Sequence, residues 1–195
     1  AIASIRYRFS HEALFPAQLE DTKAAIAWLR GNGRAHGYDG DRIALIGGSA
    51  GAQLAMLAGC TADDKTGPIL AVVSFFGPSD FLLRSRTQPD SNNPGSTTHG
   101  LLGGPPSAKE DLARAASPAF HVTANAPPLL IFHGEADKVV LPDQSERMAE
   151  AYRTAGRPVT THYKAGAGHT TGDFEDDTSR KLLLEFLDTQ LKPRP

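Results

Sequence analysis

The chain has 195 residues, of which 40% are hydrophobic, and its formal net charge is −2. This length allows one sizeable buried core, and we interpret residues 1–195 as a single domain. The 20 basic residues are scattered among 22 acidic ones, which disfavours nucleic acid as a partner. The sequence has no apolar run of about 18 residues and no signal-peptide pattern, so it is expected to be soluble and to have no membrane span.

Strand-like apolar runs alternate with helical patterns, which predicts an α/β fold with a mostly parallel sheet and helices on both faces. Residues 1–9 alternate between apolar and polar side chains and are predicted to form a partly exposed strand. Residues 16–30 have the three- and four-residue apolar spacing of an amphipathic helix. Residues 42–46 contain the apolar run Ile43–Ile46 without alternation, as in a strand buried on both faces, and residues 52–59 are predicted to form a buried helix.

The single cysteine, Cys60, follows this helix. One cysteine excludes an internal disulfide and a multi-cysteine metal site, and we predict a buried structural thiol. It is compatible with a secreted as well as a cytoplasmic protein. The histidines and carboxylates show neither an H-E-x-x-H motif nor another paired-ligand spacing, so no metal site is predicted.

The second half of the chain continues the alternation of strands and helices. Buried strands are predicted over residues 69–76 and 129–133, a short strand over 159–163, and helices over 142–156 and 179–191. Residues 81–118 have no sustained period and are rich in Ser, Asn, Gly and Pro. They are therefore predicted to form a cap or lid over the surface.

A G-x-S-x-G motif, formed by Gly47, Ser49 and Gly51, lies between a predicted buried strand and a small-residue helix. This context is typical of a nucleophile elbow, in which a sharp turn exposes the serine at the end of a strand. A side chain at either glycine is expected to collide with the neighbouring strand or helix. Ser49 is therefore the candidate nucleophile, and the Ala50 amide at the helix N-terminus is a candidate oxyanion donor. The alternative is a structural turn with an idle serine.

An active serine needs a histidine as base and a carboxylate that orients this histidine. In hydrolases with such an elbow, the acid follows a later strand and the base follows the last strand. Asp137 and His169 lie at these two places. Glu135 and Asp173 are rival acids, since the first shares the turn of Asp137 and the second is close to His169.

His133 ends a predicted strand and precedes a glycine, where a histidine more often forms hydrogen bonds within the turn than takes part in catalysis. We interpret it as structural. The remaining histidines have no comparable context and are expected to be solvated, although His99 in the predicted cap could touch substrate.

Several segments occur in order along the chain, and they cover nearly all of it. They are Tyr7–Ser10, Phe15–Gln18, Trp28–Arg30, Asp41–Ile43, Gly47–Gly51, Leu102–Gly104, Ala116–Pro118, Ala126–Pro128, His133–Gly134 and Gln144–Ser145. Together they resemble the α/β-hydrolase esterases related to hormone-sensitive lipase. The resemblance is closest to the branch of bifunctional carbohydrate acetyl esterases and feruloyl esterases.

The resemblance implies hydrolysis of short acyl or aromatic esters, of the acetyl or feruloyl type, through an acyl-enzyme and without a cofactor. The implied substrate is a small-molecule or carbohydrate-linked ester, and the implied triad is Ser49, Asp137 and His169. Members usually have an N-terminal His-Gly-Gly-Gly loop that completes the oxyanion hole. No such loop occurs in this sequence, which opens where a middle strand of that fold would begin. We expect it to lack the usual N-terminal strands.

Candidate substrate-binding residues are Gly48, Phe76 and Phe81, although phenylalanine after a buried strand commonly belongs to the core. Phe75, Leu82 and Leu101 are further candidates for the pocket wall. Two other functions are compatible with the pattern. One is a peptidase related to the prolyl oligopeptidases, and the other is a catalytically silent hydrolase-like binding protein. The strand edge left open by missing strands is compatible with a homo-oligomer.

Overall fold

Four parallel strands form the centre of the fold. The computed structural model describes residues 1–192. The strands β1 (Ala44–Gly48), β2 (Ala71–Phe75), β3 (Leu129–Gly134) and β4 (Val159–Lys164) lie side by side in chain order. All three neighbouring pairs are parallel. The segments that follow the strands therefore start at the same edge of the sheet, which is where ligands bind in open α/β sheets.

Seven α-helices connect and cover the strands. They are α1 (Ala17–Asn32), α2 (Ala50–Cys60), α3 (Phe81–Thr87), α4 (Thr97–Leu102), α5 (Glu110–Ala116), α6 (Asp143–Thr154) and α7 (Asp177–Leu191) among the described residues. Short 3-10 turns lie at Arg34–His36, Pro89–Asn92, Pro106–Ala108, Pro118–Phe120 and Thr171–Phe174. No helix within residues 1–192 has both the length and the apolar character needed to cross a bilayer.

Both faces of the sheet carry helices, because successive strand residues point to opposite sides. On β2, Val72 packs in a cluster with Ile26 of α1 and Tyr152 of α6. The next residue, Val73, packs in another cluster against α7, which contributes Phe186. The predicted α/β fold with a mostly parallel sheet and helices on both faces is thus confirmed.

Two strand predictions are wrong. Residues 1–9 form no strand, because an alternating pattern makes a strand only where a partner offers backbone hydrogen bonds, and this segment has none among the described residues. It is held instead by Arg8, whose backbone and guanidinium N–H groups donate to Asp21 at 2.7–2.9 Å. Strand β1 is not buried on both faces, since Ile46 is 53% exposed and β1 pairs with β2 alone.

Residues 81–118 contain three short helices joined by 3-10 turns. Helices of six or seven residues are too short to produce a sustained sequence period, so the pattern did not reveal them. Side-chain caps fix two of their starts: Asp80 accepts from the amides of Leu82 and Leu83, and Ser96 accepts from the amide of His99. The segment has its own apolar cluster, to which α2 contributes Leu57.

Candidate active site

A strained turn between β1 and α2 positions Ser49. Its backbone has φ 51° and ψ −118°, a conformation uncommon for a residue with a side chain. The Ser49 amide donates to the carbonyl of Phe75 at 2.9 Å, which ties the turn to β2. The amides of Ala52 and Gln53 both donate to the Ser49 carbonyl and begin α2. The serine is therefore held at the carboxyl end of β1, directly before a helix N-terminus.

The two glycines of the motif have different roles. A Cβ at Gly47 would overlap the carbonyl group of Gly51, so the close approach of strand and helix requires glycine there. A Cβ at Gly51 would meet no neighbouring atom, and the predicted collision at this position is wrong. The two positions differ because the backbone of Gly51 fills the space beside Gly47, whereas the space beside the α-carbon of Gly51 is open.

Ser49, His169 and Asp137 form one hydrogen-bonded series. The Ser49 Oγ lies 2.9 Å from His169 Nε2, and His169 Nδ1 lies 2.6 Å from Asp137 Oδ2. The Asp137 carboxylate accepts hydrogen bonds, which places the imidazole proton on Nδ1 and leaves Nε2 free to accept from the serine hydroxyl. This is the geometry of a serine activated by a base and an orienting acid.

The Asp137 carboxylate is fixed by the turn after β3. Its side chain is buried, and its Oδ1 accepts from the backbone amides of Val139 and Val140 at 2.8 and 3.0 Å. The rival carboxylates lie elsewhere. Glu135 is exposed, and Asp173 Oδ2 accepts from the Gly168 amide at 2.6 Å, so Asp173 holds the loop that carries His169 and does not bind the imidazole.

His133 lies beneath this turn and is fully buried. Its Nε2 is 2.9 Å from the Val140 carbonyl, so Nε2 carries the proton, and its Nδ1 is 2.6 Å from Ser145 Oγ, which donates to it. Burial lowers the pKa of His133 below its ordinary value of 6.5. A neutral imidazole thus bridges β3, the Asp137 turn and α6, which agrees with a structural interpretation.

A cavity of about 400 Å³ opens in front of Ser49. The other lining residues are Tyr7, Phe9, Ser10, Gln18, Ala50, Gln53, Leu54, Pro78, Phe81, Arg84, Thr97, Thr98, Leu101, Val139 and Val140. The wall is mainly apolar, and both α3 and α4 contribute to it. The sequence-predicted candidates Ala50, Phe81 and Leu101 thus lie at the cavity.

Other predicted substrate-binding residues lie away from the cavity wall. Phe76 is buried, and its ring centroid is 4.4 Å from that of His169. It is in position to restrain the imidazole. A Cβ at Gly48 would meet the side chains of Phe76 and Thr171 at ordinary van der Waals distance. His99 is half-buried rather than fully solvated, and it is absent from the lining of the cavity.

Two polar side chains of the cavity wall were not found by sequence reasoning. Gln18 is buried, and its Nε2 donates to the Ala13 carbonyl, which leaves Oε1 without a protein partner among the described residues. Arg84 reaches the cavity from α3. Gln18 ends the segment Phe15–Gln18 that carries the resemblance, and Arg84 belongs to no motif, but in neither case does the sequence indicate that the side chain lies near Ser49. Residues 1–192 contain no cluster of three or more metal-ligating side chains.

The chain is similar to several known proteins. The family model BD-FAE matches residues 1–152. Esterase LipQ of Mycobacterium tuberculosis (strain H37Rv) is 31% identical over 208 residues, which cover 93% of this chain and 45% of LipQ. Esterase LipC of the same organism is 33% identical over 177 residues, which cover 85% of this chain and 44% of LipC. The chain therefore spans less than half the length of these curated relatives.

Among solved structures, a truncated form of a carbohydrate esterase from gut microbiota is similar with a TM-score of 0.83 and 31% identity. The match covers 96% of this chain and 73% of that chain. The resemblance to esterases of the α/β-hydrolase fold that the sequence predicted is confirmed by these matches. Since the family model covers most of the chain, the chain belongs to the BD-FAE family.

Proposed function

We propose that the chain is a serine hydrolase that cleaves carboxylic esters with short or aromatic acyl groups, of the acetyl or feruloyl type. The observation that carries this proposal is the series in which Ser49 Oγ, His169 Nε2 and Asp137 Oδ2 are linked by contacts of 2.9 and 2.6 Å. The esterase names of the relatives support the same reaction class.

The proposed reaction has two acyl transfers. His169 takes the proton of Ser49 while the serine oxygen attacks the ester carbonyl, and Asp137 stabilises the imidazolium that forms. The Ala50 amide, at the positive end of α2, donates to the oxyanion. His169 then protonates the departing alcohol, and water repeats the sequence on the acyl-enzyme to release the acid and restore Ser49.

The cavity supports a substrate of modest size. A volume of about 400 Å³ is at the lower end of small-molecule pockets. Phe81 and Leu101, which belong to residues 81–118, form part of its wall, so we propose that this segment acts as the cap over the acyl or alcohol group. A carbohydrate-linked alcohol is supported by the similarity to a carbohydrate esterase.

The test is covalent labelling by a fluorophosphonate together with hydrolysis of p-nitrophenyl acetate. Labelling requires a serine activated by a base, so the unmodified chain should be labelled and Ser49→Ala should lose the label. Its ester hydrolysis should also fall at least about a thousandfold, because triad serines contribute at least that factor. Ser107→Ala, which alters an exposed serine outside the cavity, is the matched control. Labelling or hydrolysis that persists in folded Ser49→Ala would contradict the proposal.

A further inference from the structure

Arg84 is the only charged side chain that lines the cavity of Ser49 in the described part of the chain. It is on α3, and its Nη2 donates to the Val139 carbonyl at 2.9 Å, two residues after Asp137 in sequence. This contact anchors the guanidinium on one side. The remaining wall is formed by uncharged side chains, most of them apolar.

The guanidinium of Arg84 is poorly compensated within residues 1–192. Its Nε is buried without a hydrogen-bond partner, and it forms no ion pair with a carboxylate. Burial lowers the pKa of Arg84, while the more distant charges of Asp137 and Asp143 act in the opposite direction. Arg147, by contrast, has a partner, because its Nε lies 3.2 Å from Asp80 Oδ2. A half-buried cation without a close counter-charge favours an anionic ligand.

We propose that Arg84 is a specificity-determining residue that binds a carboxylate carried by the substrate. The preferred substrates are then acidic esters, in which one part of the molecule has a free carboxylate and another has the ester presented to Ser49. The planar fork of N–H donors in arginine suits a carboxylate, and the apolar wall around it strengthens the ion pair. This inference rests on the proposed function, because it assigns a substrate class to the same site.

A purely structural role for Arg84 predicts a different outcome. If the side chain only anchors Val139, a neutral residue that still donates a hydrogen bond would preserve the site for every ligand. If it binds a carboxylate, removal of its charge lowers affinity for acidic esters alone. The two roles are therefore separated by comparing each acidic ester with its neutral counterpart.

The experiment measures binding by calorimetry to Ser49→Ala, in which the ester is not consumed. Monoethyl glutarate carries its carboxylate on the acyl side, and 4-acetoxybenzoate carries it on the alcohol side. Diethyl glutarate and methyl 4-acetoxybenzoate are their neutral counterparts. We expect at least one acid to bind about tenfold tighter than its counterpart, as for a charge-assisted contact. Arg84→Gln should abolish this preference and Arg84→Lys should retain part of it.

Arg86→Gln is the matched control, since it removes an exposed charge from the same helix. It should leave the preference unchanged. Equal affinity for acid and neutral ester in both pairs would overturn the proposal. This comparison is made on Ser49→Ala, so it does not depend on whether Arg84→Gln folds. Retention of the preference by folded Arg84→Gln would also overturn it. Hydrolysis of p-nitrophenyl acetate by the chain with Ser49 intact tests the proposed function separately, so either idea can fail alone.

Discussion

At the scale of single residues, the elbow depends on which atoms crowd each other. Ser49 has its positive φ because the chain must reverse from β1 into α2 within a single residue. The reversal brings the carbonyl of Gly51 against the α-carbon of Gly47. The strain is local, and the hydrogen bonds of Ser49 with Phe75 and with the start of α2 hold it in place.

The two motif glycines should therefore respond differently to alanine. Gly47→Ala forces a Cβ into backbone atoms, and we expect it to lower the free energy of unfolding by more than about 2 kcal/mol, as for other strained backbone substitutions. Gly51→Ala adds a Cβ in open space on a helix, where alanine is favoured over glycine by up to about 1 kcal/mol. Urea unfolding of both variants checks this. Equal stability of the two would show that the crowding does not exist.

The pH dependence of stability is a second test at this scale, and it concerns His133. Its pKa in the folded chain is lowered, so above pH 6.5 neither the folded nor the unfolded state protonates it. As the pH falls below 6.5, the unfolded state binds a proton that the folded state excludes, and stability is lost. The slope from one such group is at most about 1.4 kcal/mol per pH unit.

We therefore expect His133→Gln to reduce the loss of stability between pH 7 and pH 5.5, even if the variant is less stable at pH 7. Chemical unfolding at both pH values measures this difference. His11→Gln, which alters an exposed histidine, should have the pH dependence of the unmodified chain. A pH dependence that is the same with and without His133 would contradict the assignment of a neutral, buried imidazole.

At the scale of elements, the sequence correctly predicted the strands that are buried along nearly their whole length. Strands β2 and β3 are almost fully buried, so their apolar runs carry the pattern of a central parallel strand. Strand β1 also follows an apolar run but lies at an edge of the sheet. A sequence pattern does not report how many neighbours a strand has, so this position was not predicted. Residues 1–9 show a different error. Their apolar and polar residues alternate as in a strand, but no strand among the described residues pairs with them.

The candidate site likewise contains some residues that the sequence predicts and others that only the folded chain brings into place. Ser49, Asp137 and His169 follow three strands of a parallel sheet, so chain order alone places them at one edge. The choice of Asp137 over Glu135 depends on which side chain turns inward, and only the folded turn decides this. Arg84 lies in a region without a period, and no local signal reports that α3 directs it into the cavity.

At the scale of the whole molecule, exposed apolar surface is concentrated in the first quarter of the described chain. The exposed large apolar side chains within residues 1–46 are Ile2, Ile5, Phe9, Leu14, Trp28 and Ile46, whereas the rest of residues 1–192 contribute Phe120, Val139 and Leu184. The free edge of β1 lies in the same part of the chain. An edge strand with apolar side chains is a template for pairing with another chain.

Whether the chain forms a homo-oligomer, with which the sequence is compatible, can therefore be tested at this edge. We expect the chain of residues 1–195 to have a solution mass above that of one chain, rising with concentration, because pairing along β1 would satisfy its free backbone groups and cover Ile46. Ile46→Lys places a charge on the edge and should shift the mass to that of one chain. Leu184→Lys, which alters an exposed leucine of α7, should not. Light scattering after size-exclusion chromatography measures this, and a single-chain mass for the unmodified protein at every concentration would rule out association through β1.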